Sequence, residues 1–349
     1  MNKKNVLPCT GGGGRLSTGF TMAEILLSLT IIGVVAAITL PSLTGNINER
    51  TWNTQRKALY ARMSQAIALM PALNGYGTVN GTIADDGSQT ITEDNAAETF
   101  ITSGLSKVLK INNICDSENL DDCGVPTSIM TLRTGTKIAM PKSVVELNPI
   151  FNSTHTNASG THTWTYRQLD TKVAAFETAN GESIVAYYNP QCKDLSASLL
   201  HGQPVAGEST LWVHMQPAMC ANFIYDLNGN KGPNTVGKDI GVISVLYPTD
   251  SLVVAPVPIV AISNENTTYN SSNGFCHALD SESRIPNIYE LSSMFYNMRL
   301  FDIGNSVLLS STTIYHTGEG LRAWRLHLGL GYAQSYDKEA AGNVRCVKR

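Results

Sequence analysis

The chain lacks the residue combinations that metal and nucleophile chemistry usually need. Its seven cysteines include no CxxC pair, which argues against zinc-site and thioredoxin-like chemistry. His201, His214, His277, His316 and His327 are scattered, without HExxH spacing. No GxSxG occurs, and the run Gly11–Gly14 lacks the Lys-Ser/Thr that a phosphate-binding loop requires. No catalytic constellation or required cofactor is read here, and the chain is not expected to be an enzyme. Charge is modest, at 15% of residues. The leader-like stretch Met1–Gly19 has Lys3, Lys4 and Arg15 but no acid.

Long apolar runs are absent except for one. From Phe20 to Leu40 the sequence is almost wholly apolar and is expected to form one membrane-spanning helix. Its single ionisable side chain is Glu24. A carboxylate in hydrocarbon costs roughly 2.5–3.5 kcal/mol even on a lenient scale, so such a group normally has a partner and a purpose. Gly19, Phe20, Glu24, Gly33 and Pro41 fall in one register. The stretch resembles the N-terminus of type IV pilins and of type II secretion pseudopilins. The resemblance implies cleavage after Gly19 and N-methylation of the Phe20 amine by a prepilin peptidase. It also implies assembly with other pilin or pseudopilin subunits through the helix. In a staggered filament, Glu24 of one subunit can meet the Phe20 amine of its neighbour. Such a buried pair sets geometry more than it adds stability.

Removing Lys3, Lys4 and Arg15 from the 25 basic residues leaves 22 against 28 acidic ones, a net charge of −6. An acidic chain argues against nucleic-acid binding, which needs a basic face. Basic residues before the apolar segment place the N-terminus in the cytoplasm and the remainder outside, anchored at the inner membrane. The alternative is a secretory signal peptide cut near Ala36-Ala37, which the long leader and Glu24 fit poorly. Beyond Cys9, six cysteines remain, an even number that suits disulfides in an exported chain. Fifteen connectivities are possible. Neighbour pairing is favoured: Cys115–Cys123, Cys192–Cys220 and Cys276–Cys346.

Past Pro41, the residues Trp52, Leu59, Met63, Ala66, Ile67 and Met70 recur at helical spacing. Pro41 and Gly45 predict a kink, and Pro71 with Gly75 a stop. Gly75–Asp94 and Asn148–Thr163 read as loops, with a short helix at Asn95–Ile111 between them. Cys115–Cys123 encloses an acidic loop, read as solvated rather than calcium-binding. Strand signals begin near Trp164. The segment 174–188 reads as a hairpin turning through Asn180-Gly181 in type I′ geometry. Cys220–Asp226 and Val242–Tyr247 follow as strands. Between them Asp226, Asn228, Asn230 and Asp239 offer oxygen ligands that suit calcium, although no Glu closes an EF-hand. The alternative is a structural loop whose Asp and Asn side chains cap their own backbone.

Ala255-Pro256-Val257-Pro258 marks a boundary into the last segment. Arg284-Ile285-Pro286-Asn287-Ile288-Tyr289-Glu290-Leu291, Ser310-Ser311-Thr312, Ala323-Trp324 and Val344-Arg345-Cys346-Val347 are similar to islands of C-type-lectin-like domains in bacterial surface proteins. Leu309 stands where that family has an aromatic residue. Trp324, Tyr332 and Tyr336 could stack on sugars, although core aromatics are commoner. The expected fold is α+β: leader 1–19, N-terminal helix 20–74 with its span at 20–40, pilin-like head 75–255, lectin-like segment 256–349. The expected function is a membrane-anchored minor pilin-like subunit, with possible contact to a surface carbohydrate or protein. A secretion pseudopilin is the alternative in the same class, and a membrane-tethered enzyme the alternative in another.

Overall fold

The computed structural model describes residues 21–74, 96–128, 130–148, 154–157, 160–163, 172–188, 213–214, 218–247, 251–262, 267–304, 307–316, 320–328 and 332–348. Met1–Thr51 and Trp52–Arg349 are two compact units.

Helix α1 (Met22–Asn74) is 53 residues long. A capping box opens it. Thr21 Oγ1 accepts from the Glu24 amide at 3.3 Å, and Glu24 Oε2 accepts from the Thr21 amide at 2.9 Å. In the first unit the side chains from Met22 to Val35 are exposed. The expected membrane-spanning helix needs correcting. Among the described residues no helix is long and apolar enough to cross a membrane. Farther along, Glu49, Arg50, Arg56, Lys57 and Arg62 make the helix polar. It also continues through Pro41, Gly45 and Pro71, where the sequence predicts a kink and a stop. A proline inside a helix removes one donor and crowds the preceding turn, so the helix continues through these positions at a local cost.

In the second unit, α1 buries Leu59, Met63, Ala66, Ile67 and Met70. These lie on one stripe because three- and four-residue steps return to the same face. Helix α2 (Ala96–Thr99) continues as a π turn to Gly104 and a 3-10 turn to Lys107. The strands follow: β1 (Ile111–Cys115), β2 (Met130–Thr131) and β3 (Lys137–Ile138). After helix α3 (Val144–Leu147) come β4 (Thr154–Asn157), β5 (Gly160–Thr163), β6 (Ala174–Thr178), β7 (Ser183–Tyr188) and β8 (Val213–His214). Next are β9 (Ala218–Asp226), β10 (Ile240–Tyr247), β11 (Ser251–Val254) and β12 (Val257–Ile262). Helices α4 (Tyr269–Leu279), α5 (Ile288–Tyr296) and α6 (Met298–Phe301) precede β13 (Val307–His316), β14 (Gly320–His327), β15 (Tyr332–Asp337) and β16 (Arg345–Lys348).

The main sheet is antiparallel, in the order β1-β6-β7-β9-β10-β11. Both faces are covered, which explains why Ser183–Tyr188 is buried at every position. Phe176, Ile184, Ala186, Phe223, Tyr225, Ile243 and Val245 pack with Leu59, Met63, Phe100 and Ile101. Their alternates Ala175, Val185, Tyr187, Ile224, Val242 and Leu246 pack with Leu291, Met294 and Phe295 of α5 and with Leu308 and Leu326. The period-two alternation of strand side chains thus feeds two cores.

The β6–β7 turn differs from the expected type I′. Gly181 has φ +83°, while Asn180 is not among the residues with positive φ. The Gly181 amide donates to Thr178 O at 2.9 Å, and the Thr178 amide to Glu182 O at 2.9 Å. This is a three-residue loop, a type I turn followed by a left-handed glycine.

The last segment forms a β12–β16 pair and, together with β8 from before the Ala255–Pro258 boundary, a second sheet in the order β13-β14-β15-β8. Cys276 of α4 is bonded to Cys346 of β16, and Cys115 to Cys123. Cys220 is also disulfide-bonded, while Cys192, its expected partner, lies outside the described residues.

Candidate functional site

The sequence points to four places, and the structure treats each differently. Gly19 and Phe20, the expected processing residues, lie outside the described residues. Glu24 lies at the start of an exposed apolar surface in which Leu27 and Ile32 are each 63% exposed. Its Oε2 also accepts from Thr21 Oγ1 at 3.0 Å, so the carboxylate organises the helix start as well as carrying charge.

The acidic loop at Cys115 is a local turn closed by its disulfide. Asp116 Oδ1 accepts the amides of Glu118 and Asn119 at 2.9 and 3.0 Å. Those bonds hold the Asp116 carboxyl below the usual carboxylate range.

The loop from Asp226 to Asp239 is different in kind. Asp226 ends β9 and Asp239 immediately precedes β10, so strand pairing brings the two carboxylates to one sheet end. Both residues are buried. Asp239 accepts the Asn234 amide on Oδ2 and the Thr235 amide on Oδ1, each at 2.8 Å. Asp226 Oδ1 accepts the Asn228 amide at 3.1 Å. Asn228 Nδ2 donates to Gly232 O at 2.7 Å, which fixes the orientation of that side chain. Asp226 Oδ2 and Asn228 Oδ1 are left buried without a hydrogen-bond partner. Burial pushes the Asp226 carboxyl up to about 7. The Asp239 charge adds to this, while the amides of Asn228 and Gly229 oppose it.

Of the four residues expected here, Asp226, Asn228 and Asp239 therefore gather. Asn230 does not, because its side chain is exposed. Asn234 is the participant the sequence reading missed. It adopts φ 49° and accepts the Gly232 amide on Oδ1 at 3.0 Å. Asn tolerates left-handed torsions, and the Gly-Pro-Asn order was the available signal. Among the described residues no group of three or more His, Cys, Asp and Glu gathers.

This loop also meets α1. Arg56 Nη2 donates to Lys238 O at 2.7 Å, and its Nη1 to Asn53 Oδ1 at 2.8 Å. Below it, Tyr225 lies across Gly241, where a Cβ would stand 2.1 Å from the tyrosine oxygen. Only glycine permits that approach.

In the last segment the Arg284–Leu291 island makes one compact device. Asn287 Oδ1 accepts the Glu290 amide at 2.8 Å, and Glu290 Oε2 accepts the Asn287 amide at 2.9 Å. Arg284 grips the same carboxylate with both terminal nitrogens, at 2.8 and 2.7 Å. The Ser310–Thr312 island docks this helix start, as Thr312 Oγ1 accepts the Ile288 amide at 2.9 Å. Leu309 is buried with Cys276, Ile285, Val344 and Cys346. Trp324 packs against the main core, and the Arg325 guanidinium lies 4.4 Å from the Tyr336 ring centre. The Tyr332 side chain lies outside the described residues.

Compared with protein-family models, curated proteins and solved structures, the chain matches none.

Proposed function

We propose that this protein is a subunit of a type IV pilus-type filament, processed after Gly19 and assembled through the start of helix α1. The observation that carries the reading is the exposed apolar surface from Met22 to Val35, with Glu24 as its one ionisable side chain. Apolar surface left in water costs about 25 cal/mol per Å², so a continuous stretch of this size calls for a covering partner. Equivalent helices of neighbouring subunits match that chemistry. A cationic amine at a new Phe20 terminus matches the Glu24 carboxylate. The disulfides fit an exported head, because such bonds persist in oxidising compartments. Prepilin peptidase and other pilin-like subunits are the partners this reading requires.

Terminal sequencing of protein taken from the native cell is the test. A methylated Phe20 start is expected, and Gly19→Val should abolish it by placing a branched side chain at the scissile bond. A mature start at Ile38 would sink the proposal.

A further inference from the structure

We propose that a narrow crevice between β12, the β2–β3 turn and the end of α6 binds one carboxylate group, held by the buried guanidinium of Arg345. The inference does not depend on the filament reading. Leu132 of the turn, Val257 and Pro258 of β12, and Leu300 of α6 give the crevice apolar walls, and Arg345 reaches it from β16. Arg345 is only 4% exposed. Its Nη2 donates to the Phe301 carbonyl oxygen at 3.1 Å, while its Nε is buried without a hydrogen-bond partner. Among the described residues it belongs to no ion pair. Burial lowers its pKa, and the Asp302 charge offsets only part of that shift. A buried cation without a counter-charge is costly, and an anionic acceptor on Nε would stabilise it.

Size and wall chemistry select the anion. The crevice has room for about one water-sized group. One carboxylate oxygen fits that space, whereas sulfate and phosphate carry four oxygens around one centre. Guanidinium groups bind carboxylates through short charge-assisted hydrogen bonds, and the apolar walls suit the carbon that bears the carboxylate. Two exposed charged residues also line the crevice, with opposite effects on an anion. Arg133 attracts it. Asp302 repels it, and so sets how much of the Arg345 charge is left for a ligand.

The experiment uses the full chain, purified in detergent, isotope-labelled at arginine and kept in chloride-free buffer. The Arg345 Nε–H resonance is assigned by its absence from Arg345→Lys or, if that variant does not fold, by through-bond correlation to its own backbone. Sodium acetate should shift this resonance saturably, with one anion per chain. Arg345→Lys should weaken acetate binding at least about tenfold, since the ammonium cannot reproduce the planar fork. Arg133→Ala should weaken it about two- to fivefold, and Asp302→Asn should strengthen it by a similar factor, the scale of exposed charges. Both are surface changes, so they keep the test decisive whatever Arg345→Lys does. A short glutamate-containing peptide with blocked ends, compared with acetate, separates two sources of the same group. Tighter binding of the peptide supports a carboxylate on a protein partner, and equal or weaker binding supports a free organic acid. Absence of a saturable shift would leave water on Nε and would overturn the site. Chloride or sulfate matching acetate at the same concentration would overturn the carboxylate assignment. Acetate binding that neither Arg133→Ala nor Asp302→Asn alters would place the anion elsewhere and overturn the proposal too.

Discussion

Glu182 shows how much one side chain can carry. It is buried, accepts the Thr178 hydroxyl, and forms an ion pair with Arg62 of α1. Removing Arg62 leaves the buried Glu182 carboxylate without its counter-charge, held by the Thr178 hydroxyl alone. Arg62→Ala should therefore lower stability by about 2–4 kcal/mol, and Arg62→Ala with Glu182→Gln should restore part of it. Denaturant melts of the double-mutant cycle measure this, and a coupling near zero would show that the pair is solvated. His327 provides a pH readout in the other sheet. Burial, followed by the Arg325 charge, lowers its pKa to about 4 from 6.5. The unfolded chain thus binds the proton more readily than the folded one between those values. Stability from this group is present above pH 6.5 and is lost as pH falls toward 4, by at most about 3 kcal/mol. His327→Gln should flatten that part of the stability profile.

Among the elements, regularly patterned segments were the most legible. The stripe Leu59, Met63, Ala66, Ile67 and Met70 predicted the buried face of α1 because helical periodicity and burial have the same cause. The hairpin read at 174–188 was legible too, and its second strand β7 is buried at every position. Turn chemistry was less legible. Asn180-Gly181 suits a type I′ turn, but the chain spends one more residue and needs only Gly181 left-handed. The Asp226–Asp239 loop was partly legible: Asp and Asn spacing marks oxygen-bearing side chains, but strand pairing decides which of them are buried. Asn230 is left exposed, while Asn234 holds the Gly232 amide. The Arg284–Leu291 island was visible as a pattern, and the structure supplies its physics. Asn287→Ala should cost about 1 kcal/mol through loss of the cap, while Asn287→Asp keeps most of it. Thermal denaturation compares the two; equal losses would show that the cap adds nothing here.

The whole molecule was the least legible scale, because contacts between distant segments leave no local signature. The Ala255–Pro258 stretch marks where the chain leaves the main sheet, yet α5 returns to cover that sheet with Leu291, Met294 and Phe295. The Cys276–Cys346 bridge belongs to a different cluster, with Ile285, Leu309 and Val344. Closing a loop across a separation of 70 residues removes about 4–5 kcal/mol of unfolded-state entropy in the chain-entropy model. Its loss should then act unevenly. When both cysteines are replaced by Ser, α4 and β16 should loosen first, since beyond the bridge they are held by a small cluster and the short β12–β16 pairing. Helix α5 should stay protected, because its apolar face is sealed against the sheet. Limited proteolysis with mass mapping should place the earliest cuts near 269–285 and at the C-terminal strand. The same order is expected when the native protein is treated with a mild reductant, which avoids any failure of the variant to fold. Early cuts inside 288–296 would show that the bridge, rather than the shared core, holds α5 in place.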